Sequence, residues 1–198
     1  VHSRIAMLSA LLAFFGAQTA HACAHQWRFN ELFTNASGTV QFIEMQECCG
    51  FTGEIFVGNK WIRSVHANQK FTFTHSLSGN TGHRYLLLAT QTFANIPGAP
   101  APDFIIPNGF LPVNGDTLEW WMYPNATRSY PTLPRDGTTA LEVGPGPDGI
   151  AGTADDVTET AVNSPTNFAG ATGSISVSAV PVQPTTWGHI KTHTFHLP

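Results

Sequence analysis

The chain has 198 residues, 42% hydrophobic and only 11% charged, with 18 glycines, 14 prolines and a formal net charge of −4. That is room for one ordinary domain. The charged fraction is less than half the roughly 25% usual in soluble proteins, which excludes a charge-rich disordered chain and a coiled coil. Net negative charge gives no electrostatic case for nucleic acid.

Arg4 precedes the apolar run Ile5 to Phe15, and small residues follow as far as Ala24. A basic flank, a short apolar stretch and alternating small residues predict a secretory signal-peptide helix over 1–24. The run is shorter than the roughly 20 apolar residues of a membrane span. No later segment approaches that length, so no integral membrane span is expected. Ala20-His21-Ala22 permits cleavage before Cys23, and Ala22-Cys23-Ala24 permits cleavage before His25. The second cut leaves two thiols, Cys48 and Cys49. In an oxidising compartment an even count favours a vicinal disulfide between them. If Cys23 is retained, a bridge from it to either thiol is the alternative.

Beyond this point the apolar pattern is short and mostly of period two. Thr39 to Met45 alternates until Phe42 meets Ile43, which predicts a bulge or a strand covered on both faces. Phe71 and Phe73 alternate with threonines. Tyr85 to Leu88 reads as a central strand, with a short helical turn around Thr90 to Ala94. Eight of the 14 prolines fall between Pro97 and Pro134, so that stretch is loop-rich, with Asp103 to Ile106 at a sheet edge. Thr117 to Tyr123 is aromatic and strand-like, and Gly173 to Val180 alternates apolar residues with serines. Turn signals such as Asn35-Ala-Ser-Gly38, Asn108-Gly109 and Asp136-Gly137 separate these runs. Many short strands with no long amphipathic helix predict an all-β, antiparallel sandwich. Residues 143–160 read as an inserted Gly/Asp loop within a domain over 25–180, and 181–198 as a C-terminal tail.

The start His25 to Glu44 resembles the opening of a lamin-tail-like domain. Phe29-Asn30-Glu31-Leu32 and Phe42-Ile43-Glu44-Met45 stand where that family has "I-N-E-V" and an apolar residue followed by "V-E-L". The stretches Glu47-Cys48-Cys49-Gly50, Leu86 to Thr90, Pro97 to Gly109 and Asn163 to Gly170 are similar to those of exported bacterial proteins with that start. The resemblance covers about 25–178. It implies an immunoglobulin-like β-sandwich used for adhesion, scaffolding or surface binding, and it carries no catalytic set to transfer. The 143–160 loop is outside the usual family pattern.

Several groups carry candidate chemistry. Asp148, Asp155 and Asp156 lie on a Gly-rich loop that calcium could order; the plainer reading is a solvated acidic turn. His189, His193 and His196 would share a face only on a helix, and on a strand they read as ordinary surface histidines. His25, as a first residue, could chelate copper through its α-amine and imidazole, with His66, His75 or His83 completing the site. Trp120 and Trp121 are consecutive, so on a strand one faces the core and the other is a candidate for ligand contact. Asn35 and Asn125 stand in glycosylation sequons, which the bacterial resemblance makes irrelevant. No nucleophile elbow or catalytic cysteine signature is present.

The sequence therefore predicts a secreted, periplasmic or surface-located β-sandwich without catalytic activity. Its expected role is to bind or scaffold a protein or an extracellular polymer. The alternative is a copper-binding protein or copper-dependent polysaccharide oxidase built on His25. Calcium is the one cofactor the residues suggest beside copper.

Overall fold

A computed structural model describes residues 25–121, 127–144 and 156–177. The predicted signal segment, Asp148, Asp155, Asn125, the tail histidines and residues 178–180 lie outside these ranges. Among the described residues the chain is almost entirely β. One sheet contains β1 (Trp27–Thr34), β2 (Gln41–Glu47), β5 (Tyr85–Thr90), β6 (Phe104–Ile106), β9 (Thr139–Glu142) and β10 (Glu159–Val162), in the order β10-β9-β1-β2-β5-β6. The other contains β3 (Trp61–Ser64), β4 (Gln69–Thr72), β7 (Asp116–Trp120) and β8 (Thr127–Tyr130), in the order β4-β3-β7-β8.

The two sheets enclose one core. Trp27, Leu32, Ile43, Met45, Leu86 and Leu88 of the larger sheet pack with Ile62, Leu118, Trp120 and Tyr130 of the smaller one. Phe73 sits at its centre, edge-on to Phe104 and Trp120 with ring centroids 4.9 and 5.3 Å away, a favourable aromatic geometry. The larger sheet is covered on its second face as well. There Phe33, Phe42, Leu87 and Ala89 pack beneath the single-turn helix α1 (Gln91–Ala94) and against Ile175. Burial on both faces explains the unbroken apolar runs Phe42-Ile43 and Leu86-Leu87-Leu88, which no one-sided strand would carry.

The break in alternation predicted at Phe42 has its bulge in the partner strand. In β1 the pairing steps from Phe29 opposite Met45 to Glu31 opposite Glu44, leaving Asn30 as the extra residue. The bulge keeps Trp27, Phe29 and Leu32 facing the inter-sheet core, a phase that strict period two would have broken.

Two expectations need correction. The sheets are not wholly antiparallel: β6 runs parallel to β5, because α1 and the Pro-rich crossover turn the chain twice before it reaches the edge. The strand predicted from Gly173 carries no strand ladder over 173–177. The N–H groups of Ile175 and Val177 go to Asn163 Oδ1 and the Gly137 carbonyl instead. The 143–160 segment joins two paired neighbours, β9 and β10; at its start Val143 lies in the inter-sheet core.

Candidate functional site

Buried carboxylates are the first feature to explain, since a buried acid in a low-charge protein marks either chemistry or structure. Four glutamates stand in register across the outer face of the larger sheet: Glu159 opposite Glu142, Glu142 opposite Glu31, and Glu31 opposite Glu44. A segment following β10 crosses this face and donates alternate backbone N–H groups to acids beneath it. Ser164 N donates to Glu31 at 2.9 Å, Thr166 N to Glu44 at 2.7 Å and Phe168 N to Asp103 at 2.9 Å. The acids thus replace the strand partner that this strap lacks. Desolvation, opposed by the Ser164 N–H and reinforced by Glu44 and Glu142, pushes Glu31 up to about 8. Desolvation likewise lifts Glu44 to about 7, against the lowering effect of Asn30 and Thr166. Every acid in this group that meets the strap is occupied with backbone, so the row reads as a fastening.

The predicted vicinal bridge is present: Cys48 and Cys49 are disulfide-bonded. Glu47 organises the turn, its two oxygens accepting the N–H groups of Cys49, Gly50, Phe51 and His83 at 2.8–3.1 Å. Gly50 has φ +80° and a side chain there would collide with the His83 ring, so only glycine fits. Among the described residues, Glu47, Cys48 and Cys49 are the one group of three His, Cys, Asp or Glu close enough to share an ion; both sulfurs are spent in the bridge. His25 Nδ1 lies 3.7 Å from Glu54 at the same corner. Of its three prospective partners, His66 bonds Asp116 and His75 packs against the Phe104 ring. His83 is the one that belongs to this corner.

Ser64, His66 and Asp116 meet, which are the residue types of a hydrolase triad. Their wiring differs from one. Ser64 is buried and its hydroxyl donates directly to Asp116, whose other oxygen faces His66 Nδ1 at 2.6 Å. A nucleophile would need its proton aimed at the histidine. Burial works against the Asp116 anion, but Ser64 and the N–H groups of His66, Thr117 and Ala67 hold its carboxyl well below the usual range. Asp116 therefore clamps the β3–β4 turn.

Asp156, the described member of the calcium trio, is held by the Arg128 guanidinium, which also donates to the Val157 carbonyl and the Thr158 hydroxyl. A calcium ion would have to displace a buried cation already in place.

The remaining candidates converge on the outer face of the smaller sheet. Trp120 is 1% exposed and belongs to the core, so it offers nothing to a ligand; Trp121 is 43% exposed. The Trp121 N–H donates to the Trp61 carbonyl, continuing the β3–β7 register of Ile62 opposite Trp120. The two indoles therefore stand on neighbouring strands with side chains on one face. Lys60 Nζ sits 4.2 Å from the Trp121 ring centroid, and Lys70 Nζ and Arg63 Cζ sit 5.4 and 5.8 Å from that of Trp61, within cation–π range. Arg63 also pairs with Glu119 at 2.8 Å. Hydroxyls extend the face: Thr72 opposite Trp61, and Thr117 opposite Ser129 with their hydroxyls 2.8 Å apart.

Comparison with protein-family models, curated proteins and solved structures finds no match.

Sequence reasoning reached Trp121 but missed Trp61, Lys60, Arg63 and Lys70. Lys60-Trp-Ile-Arg63 sets two adjacent apolar residues between polar ones and Gln69-Lys-Phe-Thr72 holds a single apolar residue, so neither stretch carries the alternation that marks a half-exposed strand. What no single strand reveals is that the polar faces of both, and of β7, coincide. Among the described residues, no helix is long and apolar enough to cross a membrane.

Proposed function

We propose that this chain is an exported, non-catalytic binding or scaffolding module on a lamin-tail-like, immunoglobulin-like β-sandwich. It engages its partner through the outer face of the four-stranded sheet. One observation carries the reading: two indoles stand side by side among three cations on an otherwise charge-poor surface. Single exposed apolar residues are ordinary, whereas an aromatic pair ringed by polar groups marks a contact site. The acid groups described above support the absence of catalysis, since the strap, the disulfide turn and the β3–β4 turn each use them to hold backbone. Export is supported by the signal-like run before His25 and by the disulfide, which persists in oxidising compartments.

The test is retention on the producing cell's envelope and extracellular material. Wild-type protein added to washed cells should remain bound, and a Trp61→Ala/Trp121→Ala double variant of unchanged melting temperature should wash off. Equal loss of wild type and variant in the wash would sink the reading.

A further inference from the structure

The outer face of the four-stranded sheet has a chemistry that narrows the partner, and the narrowing rests on the binding-module reading above. Both lysines of the described residues, Lys60 and Lys70, are on it together with Arg63. Against them stands Glu119, itself paired with Arg63. The face is thus positive on a chain of net charge −4, and charge complementarity asks for an anionic occupant. Three cations on one face are few for long phosphate polymers and anionic bilayers, which reward positive charge spread over many contacts. Two adjacent indoles offer flat apolar surface, Thr72 stands opposite Trp61, and the Thr117–Ser129 hydroxyl pair lies farther along the same face. Flat apolar rings, hydroxyls and a few separated cations are together the complement of a chain of sugar rings bearing carboxylates. We propose that this face binds an acidic polysaccharide, with successive rings stacked on Trp61 and Trp121 and acid groups paired with Lys60, Lys70 and Arg63.

Ring and cation work together in this arrangement. In the free protein the lysine ammonium groups rest near the indoles, which shields the exposed rings. Lysine stems are long and mobile, so an arriving carboxylate can draw the ammonium to the rim while a sugar takes the vacated ring face. An acidic peptide could satisfy the cations but has no regular flat rings to stack on neighbouring tryptophans.

The experiment is calorimetric and fluorescence titration of the folded protein with polygalacturonate, uncharged dextran, poly-glutamate and duplex DNA. Polygalacturonate should bind, quench tryptophan emission and weaken several-fold as salt rises from low to physiological strength. Trp121→Ala should weaken it about tenfold or more, as loss of one stacking platform does. Lys60→Gln/Lys70→Gln, which spares the indoles, should weaken it and flatten the salt dependence. Equal binding of dextran would overturn the requirement for acid groups, and equal binding of poly-glutamate or DNA the requirement for sugar. Undiminished polygalacturonate binding by Trp121→Ala of normal melting temperature would overturn the site. Retention of the protein on its own envelope material with no affinity for polygalacturonate would overturn the polysaccharide class and leave the binding-module reading standing.

Discussion

The carboxylate of Glu44 accepts the backbone N–H of Thr166 at 2.7 Å, tying together residues 122 positions apart. Glu31 does the same for Ser164 and Asp103 for Phe168. A chain segment is thus hydrogen-bonded to a sheet face rather than to a sheet edge, through side chains spaced as a strand would space its carbonyls. A buried acid has a protonation equilibrium that a carbonyl lacks, so this fastening responds to pH.

Glu31 and Glu44 have folded pKa values raised to about 8 and about 7 from 4.5, and burial raises Asp103 and Glu142 as well. A raised carboxyl holds its proton more tightly in the folded state, so its stabilisation is complete below about pH 4.5. It is lost as pH rises through 7 and 8. Asp116 and Asp136 are shifted downward and act in the opposite sense, losing their contribution as pH falls through the acid range. Maximum thermal stability is therefore expected near pH 4–5, with a decline of several kcal/mol by pH 8. Scanning calorimetry across pH checks this, and Glu31→Gln should flatten the alkaline limb. A melting temperature constant from pH 5 to 8 would contradict it.

Asn163 is fully buried and its amide serves both ends of the strap. Nδ2 donates to the Thr138 and Ile175 carbonyls at 2.6 and 2.8 Å, and Oδ1 accepts the Ile175 N–H at 2.7 Å. Asn163→Ala orphans the buried carbonyl and N–H of Ile175, while the Thr138 carbonyl keeps the Asn163 N–H, and should cost about 2–4 kcal/mol in urea denaturation. Asn163→Asp keeps one acceptor and should still be destabilised, because a second carboxylate oxygen then meets two carbonyls.

The disulfide turn allows a comparison of covalent with polar fastening. The Cys48–Cys49 bridge closes no long loop, so Cys48→Ser/Cys49→Ser should cost under about 1 kcal/mol. Glu47 accepts four backbone N–H groups from within the fold, and Glu47→Ala should cost about 3 kcal/mol or more. Denaturation of the two variants side by side decides the order; a larger loss from the cysteine variant would reverse it.

Arg128 is 8% exposed and reaches Asp156, Val157 and Thr158. Arg128→Ala leaves the partly buried Asp156 carboxylate short of its cation and should destabilise by about 2–4 kcal/mol. With Asp156 held in this way, added calcium or a chelator is expected to leave the melting temperature unchanged. A rise of several degrees with calcium would instead place an ion in the loop.

Much of the architecture was legible locally. The strands at Gln41, Tyr85 and Asp116, the edge position of Phe104–Ile106 and the helical turn after Thr90 follow from runs of four to eight residues and their bounding turns. The adjacent cysteines suggested their own bridge, with Cys23 as the alternative partner, and the structure has the adjacent pair. The Gly173 segment misled because alternation states which side chains are buried, and that much was true of Ile175. It does not state what receives the N–H groups, and here they went to Asn163 Oδ1 and the Gly137 carbonyl.

By itself, then, the sequence determined the class of structure: period-two burial, low charge and frequent turns admit a two-layer β fold and little else. Tertiary structure alone decided which acids are structural and that half-buried Trp61 and exposed Trp121 share one face. Glu31, Glu44 and Asp116 acquire their roles from backbone brought to them from elsewhere in the chain, whereas Glu47 chiefly holds the turn that follows it. Trp61 and Trp121 become neighbours only because β3 pairs with β7, a contact spanning about sixty residues. Short-range pattern records whether a side chain faces inward; which distant group it meets is set by strand pairing, and pairing order is a property of the assembled sheet.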